Sequence, residues 1–301
     1  MNGDGYSGGN PGQRLMQILV ALVIGVIAMG LFAARGCQRG PFGRRQVVAL
    51  SPEQEKALGI QAYNEVLHDA RVVPEDTAEV RDVEDVTRRL VKAATNPQFL
   101  QMTKIPREQA ERIKEGADVR VVRSKEVNAF CLPGGKMVVY TAILPVCQTD
   151  AGLATVMGHE IAHALAQHGA ERMAQTQMVN IGMTAAGGAL GNMDPNDRAK
   201  IMAVLNAGAK FGIMSYGRRH ESEADHLGLL LMATAGYDPA EAPKFWERMT
   251  KATGGGGRTP EFLSTHPSHE TRIRDLIKWQ PEALKLYDAS SFKGQKPIPL
   301  L

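Results

Sequence analysis

Cysteine is scarce in this chain. Cys37, Cys131 and Cys147 are the only three in 301 residues, and an odd, scattered set builds no disulfide framework. The fold must therefore rest on an apolar core, and cysteine usage leaves the redox compartment open. One Cys131–Cys147 bridge could form; free, half-buried thiols are the plainer expectation. A charge excess is missing as well, since 35 Lys and Arg against 32 Asp and Glu leave a net charge of +3. Much of that excess lies in the N-terminal arginines. The chain lacks a basic nucleic-acid surface and any RNA- or DNA-binding motif, which excludes nucleic acid as a partner. No internal repeat is visible.

Long apolar runs are lacking too, with one exception. Leu15 to Ala34 reads LMQILVALVIGVIAMGLFAA, in which Gln17 is the only strongly polar residue. About 20 residues at roughly 1.5 Å each cross the hydrocarbon of a bilayer. The run also exceeds the ~7–15-residue core of a cleavable signal, so an uncleaved single-pass anchor is expected. A lipoprotein signal ending at Cys37 is the alternative, but Ala34-Arg35-Gly36-Cys37 makes a poor acylation box. Arg35, Arg39, Arg44 and Arg45 follow the run while only Arg14 precedes it. By the positive-inside rule, that points the body of the protein to the cytoplasm.

Residues 1–14, rich in Gly, Asn and Ser, are expected to be disordered. The basic stretch 35–50 reads as a linker, 51–290 as one domain of adequate core, and 291–301 as a tail. Ser51-Pro52-Glu53-Gln54 carries a capping box that opens a helix to about His68. Val83, Val86, Leu90 and Val91 share one face of a helix from about Asp82 to Thr95, stopped at Asn96-Pro97. Pro106 to Lys114 is a third. The period then changes. Asp118–Arg123, Val127–Leu132 and Lys136–Thr141 read as strands, the last two joined across Pro133-Gly134-Gly135. Helices are expected again at about Thr149–Gln167 with Gly169 as C-cap, at the Gly/Ala-rich stretch Val179–Leu190, and at Asp194–Phe211. Glu221–Ala235, closed by Gly236, Pro239–Thr253 and Pro267–Trp279 complete the set, with a flexible loop at Gly254–Gly257. The class is α+β: a small central sheet with helices around it.

Chemistry concentrates in Gly158-His159-Glu160-Ile161-Ala162-His163. A spacing of four on a helix sets both imidazoles on one face, one turn apart, where they can grip a single ion. The flanks Met157, Ile161, Ala162 and Leu165 make this a core helix rather than a solvated one. Zinc acidifies a water from a pKa of 15.7 to about 7, and Glu160, next to the first ligand, is placed to accept the proton. A catalytic ion needs a third protein ligand and an open position. Glu221-Ser222-Glu223-Ala224-Asp225 offers two carboxylates one turn apart, Glu221 and Asp225. One can bind metal while the other fixes a ligand histidine; Glu223 points elsewhere and suits the role less.

HExxH, then ExEAD about sixty residues on, then Gly236-Tyr237-Asp238-Pro239 and Ser264-Thr265-His266-Pro267-Ser268, together resemble the HtpX/BepA-type zinc metallopeptidases. This gluzincin group also holds the CAAX prenyl protease and the mitochondrial OMA-type stress protease. The resemblance covers about Ser51 to Trp279. It implies a zincin fold, one Zn2+ per chain, hydrolysis of peptide bonds in protein substrates, and a role in membrane or envelope protein quality control. It also implies that Glu221 is the third ligand and that Asp225 orients His159. Relatives of this kind place their catalytic domains outside the cytoplasm, against the arginine count, and an extracytoplasmic body is the expectation we take. The resemblance assigns no element to the segment Asn96–Gly116.

Asn128-Ala129-Phe130 resembles the gluzincin edge strand, to which a substrate adds through main-chain hydrogen bonds. His266 precedes a proline that keeps its backbone extended. It sits beyond the glycine loop, suited to reach into a cleft, as an oxyanion donor or as an occupant of the fourth metal position. His220, with Tyr216, Arg218 and Arg219, is a further source of oxyanion donors. His68 and His269 are expected to face solvent, and His168 to end its helix. The alternative to an endopeptidase is a zinc-bound chaperone or assembly factor; an intact Glu160 favours the enzyme.

Overall fold

The computed structural model describes residues 11–190, 195–253, 262, 266, 271–295 and 298–300. The expected disorder at 1–10, the loop Gly254–Gly257 and His269 lie outside the described residues. The chain forms two compact units. One takes Met1–Gln38, Gln46–Ala49 and Ala170–Tyr216; the other takes Arg39–Arg45, Leu50–Gly169 and Gly217–Leu301.

In the first unit, α1 spans Pro11–Gly36, so residues 11–14 are helical rather than disordered. Within it, Leu19–Gly36 is long and apolar enough to cross a membrane, the one such stretch among the described residues. Leu19, Val23, Ile24 and Ile27 are exposed on it, as suits a surface facing lipid. Its Gly25 lies against α8 (His168–Ala189), where a Cβ would come 2.5 Å from that of Ala185. A small residue lets the two helices approach.

The second unit carries a three-stranded sheet. Helix α2 (Pro52–His68) opens with the capping box: Gln54 N–H donates to Ser51 Oγ, and Ser51 N–H to Gln54 Oε1. Helix α3 (Ala78–Ala94) begins earlier than its apolar stripe suggests, because Thr77 caps it through Val80 N–H. Val83, Val86, Leu90 and Val91 are all buried. Asn96-Pro97 does stop α3, but the Asn96 side chain also accepts from Gln98 and Phe99 N–H and so starts α4 (Pro97–Thr103). With α5 (Arg107–Gly116), this fills the stretch Asn96–Gly116. The strands are β1 (Asp118–Val122), β2 (Ala129–Leu132) and β3 (Lys136–Tyr140), in the order β1-β3-β2. β3 pairs parallel with β1 and antiparallel with β2. It is the central strand, and its consecutive Met137, Val138 and Val139 are buried on both faces. Gly134 and Gly135 turn the β2–β3 hairpin at φ +80° and +89°, where a side chain would be strained.

After the four-residue α6 (Leu144–Cys147) comes α7 (Asp150–Leu165), capped by Thr149 and buried along nearly its whole length. Gly169 is not its C-cap. The helix ends at Ala166 and Gln167 takes the left-handed turn, at φ 56°, so that His168 begins α8 instead of closing α7. The helices expected at Asp194–Phe211 and Glu221–Ala235 are one, α9 (Pro195–Thr234). Glycines at 208, 212 and 217 lie within it, and each costs a helix only about 1 kcal/mol relative to alanine. Gly236, at φ +83°, closes α9 as expected, with Tyr237 N–H donating to Met232 O. Helices α10 (Glu241–Thr253) and α11 (Arg272–Ala289) follow. The end of the chain returns to α7: Asp150 N–H donates to Ile298 O and Leu300 N–H to Gln148 O. All three cysteines are free, with Cys147 buried and Cys131 half-buried.

Candidate metal centre

Two helices cross without side chains between them. A Cβ on Gly228 of α9 would stand 2.8 Å from His159 N, and one on Gly158 of α7 would stand 3.0 Å from Gly228 O. Backbone contact at this crossing brings the acids of α9 to the histidines of α7. Glu221 lies well inside α9 and is buried, so a solvated acid at a helix N-terminus is ruled out.

One donor atom from each of His159, His163, Glu221 and His266 lies within 4.8 Å of the others. The edges of this cluster are short. His159 Nε2 is 3.1 Å from His163 Nε2, 3.4 Å from Glu221 Oε2 and 3.3 Å from His266 Nδ1. Glu221 Oε1 is 3.5 Å from His163 Nε2 and 3.1 Å from His266 Nδ1. A tetrahedral ion with bonds of about 2.0–2.1 Å holds its ligands about 3.3 Å apart. Three imidazoles and a carboxylate at that spacing fit a divalent transition metal.

Electrostatics point the same way. Burial alone would lower the pKa of His159, but Asp225 and Glu221 outweigh it and raise the pKa to about 9. This position therefore stabilises positive charge. His163 is pushed well below the ordinary histidine value by burial and by His159, which leaves it a neutral donor. Burial would raise Glu221, yet hydrogen bonds from His159 and His266 hold it far below the usual carboxylate range. Asp225 does not join the cluster. Its Oδ1 lies 2.9 Å from His159 Nδ1, so it can fix the ring with Nε2 toward the ion.

Glu160 is buried beside the cluster, its Oε1 3.4 Å from His266 Nε2. Burial raises its pKa, countered in part by His266 and His159. Cys131 N–H donates to its other oxygen at 3.4 Å. That N–H lies on the open side of β2, which is an edge strand. Asn128 O accepts from Tyr140 N–H, Ala129 is fully buried, and Phe130 meets the Tyr140 ring edge-on at 6.0 Å. The Asn128–Phe130 strand thus runs past Glu160 with one edge unpaired by β3.

Arg272 escaped the sequence reading. It is 2% exposed, lies 2.5 Å by Nε from Asp225 Oδ2 and 2.9 Å by Nη2 from Glu221 Oε2, and stacks on Trp246 at 3.7 Å. A usable signal existed: Arg272 shares the buried stripe of α11 with Leu276, Ala283 and Leu286, and a cation there demands an acid partner. Trp246 and Phe262 wall the site against His159, with ring centroids at 5.7 and 6.2 Å. His168 touches His163 rather than solvent, and Glu223 pairs with His168 and Arg44. Arg218 and Arg219 are exposed, His220 stacks on His168 at 4.2 Å, and the Tyr216 side chain lies outside the described ones. His68 is exposed beside Asp69.

The model of peptidase family M48 matches residues 93–280, so the stretch Asn96–Gly116, to which the resemblance assigned no element, falls within the family. The mitochondrial metalloendopeptidase OMA1 of Schizosaccharomyces pombe is 35% identical over 242 residues, 80% of this chain and 65% of that protein. Its namesake in Saccharomyces cerevisiae is 38% identical over 174 residues, 54% of this chain and 46% of that protein. The beta-barrel assembly-enhancing protease of Escherichia coli K12 is 32% identical over 160 residues, 52% of this chain and 32% of that protein. The matches span less than two thirds of each of these relatives.

Proposed function

The chain belongs to peptidase family M48, and from that premise we propose that it is a membrane-anchored zinc endopeptidase. His159, His163 and Glu221 would hold the ion, with Asp225 and Arg272 fixing two of these ligands from behind. The observation that carries the reading is the set of donor separations, 3.1 to 3.5 Å, that a tetrahedral ion requires. Nitrogen and carboxylate donors with one exchangeable corner suit catalytic zinc, whereas structural sites close themselves with cysteine. Zinc supplies Lewis acidity toward a peptide carbonyl and acidifies water.

The protein's own groups account for the rest. Glu160, desolvated and therefore more basic than an exposed carboxylate, takes the proton released in the attack and can deliver it to the departing amine. The open edge of β2 would take an extended substrate as an added strand, holding it by main-chain hydrogen bonds with little demand on side chains. A loose sequence preference follows. Kinship with proteases named for mitochondria and for β-barrel assembly suits protein substrates at a membrane. To test this, the purified full chain in detergent is given an unfolded protein with and without a chelator. Cleavage should stop with chelation and return with zinc; cleavage that ignores the chelator would sink the proposal.

His266 stands at the fourth corner. Its Nδ1 is 3.1 Å from both Glu221 oxygens, a position more like a fourth ligand than an oxyanion donor beyond the ion. A resting plug must leave before substrate binds, and it lowers activity by the fraction of time that the site is open. His266→Ala, at matched zinc content, should therefore cleave peptides faster, by about tenfold if the closed form is favoured by about 1.4 kcal/mol. A loss of about 10²–10³-fold would make His266 an oxyanion donor instead. Unchanged rates would remove it from the site.

A further inference from the structure

The two imidazoles of the HExxH pair each have a supporting chain of their own. His159 Nδ1 rests on Asp225, which Arg272 holds. His163 turns its Nδ1 to His168 Nδ1 at 2.8 Å, and His168 Nε2 lies 2.8 Å from Glu223 Oε2. Arg44 grips the same carboxylate two-handed, with Nε at 2.7 and 2.9 Å from its oxygens and Nη2 at 2.7 Å. Protons are donated in one direction along this path. With the His163 Nε2 lone pair turned to the metal cluster, the proton sits on Nδ1 and is donated to His168 Nδ1. His168 then carries its own proton on Nε2 and donates it to Glu223. A carboxylate only accepts, and it takes the Arg44 N–H groups as well. Both chains thus end on a carboxylate fixed by an arginine, directly behind His159 and through His168 behind His163.

Arg44 does not come from the sheet or from α9. It belongs to the turn Arg39–Arg45, which follows α1 in the chain. That turn is held in place. Gly40 N–H donates to Arg44 O at 2.8 Å. Phe42 has a left-handed backbone, φ 53°, uncommon for a bulky residue unless packing dictates it. Its ring lies flat on His226 at 4.6 Å, and His226 lies flat on Trp279 at 4.4 Å. His226 Nε2 is in turn 2.7 Å from Glu282.

We propose that Arg44, Glu223 and His168 form a positioning relay that holds His163 for the metal, so that the segment after the candidate membrane span is part of the metal centre's scaffold. This rests on the reading of His163 as a ligand. A plain surface ion pair between Arg44 and Glu223 is the alternative. It does not account for a carboxylate 11% exposed and shared with a histidine 1% exposed.

Cobalt(II) loaded into the full-length protein in detergent distinguishes the two. Its visible absorption reports the ligand geometry, and chelator competition reports affinity. Glu223→Gln should weaken cobalt binding about 10–100-fold and shift the absorption band. Arg44→Ala should act in the same direction, and Arg44→Lys should recover part of the loss, since it keeps the charge but not the two-pronged grip. In a Glu223→Gln background, Arg44→Ala should add little, because both act through one path. Arg45→Ala, on the exposed neighbour, should change nothing. Wild-type affinity and spectrum in both Arg44→Ala and Glu223→Gln, or fully additive losses, would overturn the relay. A wild-type protein with no tetrahedral cobalt spectrum would overturn the metal reading itself, and the relay with it.

Discussion

Glu160→Gln in the full chain is expected to keep its zinc and to lose peptide hydrolysis by about 10²–10⁴-fold or more. The substitution preserves shape and the contact with Cys131 N–H, and Glu160 is not one of the four clustered donors. What glutamine cannot do is accept a proton. Burial raises the pKa of Glu160, which makes the carboxylate a better base while the neighbouring His266 and His159 keep it from rising further. Zinc analysis beside a peptide assay separates the two properties. A variant with full zinc and wild-type turnover would remove Glu160 as the base and leave a metal-binding module in place of an enzyme.

The second large effect belongs to the ligands. His163→Ala or His159→Ala takes one of three protein ligands from an ion that also needs an open position, and zinc content should fall from about one per chain to nearly none. Hydrolysis should disappear with it. Asp225→Asn should lie between wild type and these variants, since its contact is with His159 Nδ1 rather than the cluster, and such changes cost about 10–100-fold. Glu221→Ala should lower zinc content more than Glu223→Ala, whose carboxylate faces His168 and Arg44.

The cluster was legible because its spacing is local. Two histidines four apart on a helix share a face whatever surrounds them, and the same geometry pairs Glu221 with Asp225 on α9. The hairpin was legible for a similar reason, as Gly134 and Gly135 need left-handed backbone and mark the turn. Other features depend on partners distant in sequence. Arg272 meets Asp225 and Glu221 across two helices, and nothing near residue 272 names those acids. By sequence His168 reads as the end of α7, but a left-handed Gln167 turns the chain so that His168 begins α8 and faces His163. Asp194–Phe211 and Glu221–Ala235 read as two helices, but α9 runs through the stretch between them without a break. The short α4 hid behind a proline that both ends one helix and begins the next.

The most direct test of the account measures zinc content and peptide hydrolysis together in wild type, Glu160→Gln and His163→Ala, purified in parallel as full chains. The wild type should hold one zinc and cleave, Glu160→Gln should hold one zinc without cleaving, and His163→Ala should do neither. A full complement of zinc in His163→Ala would contradict it, because the metal would then be held somewhere other than between α7 and α9.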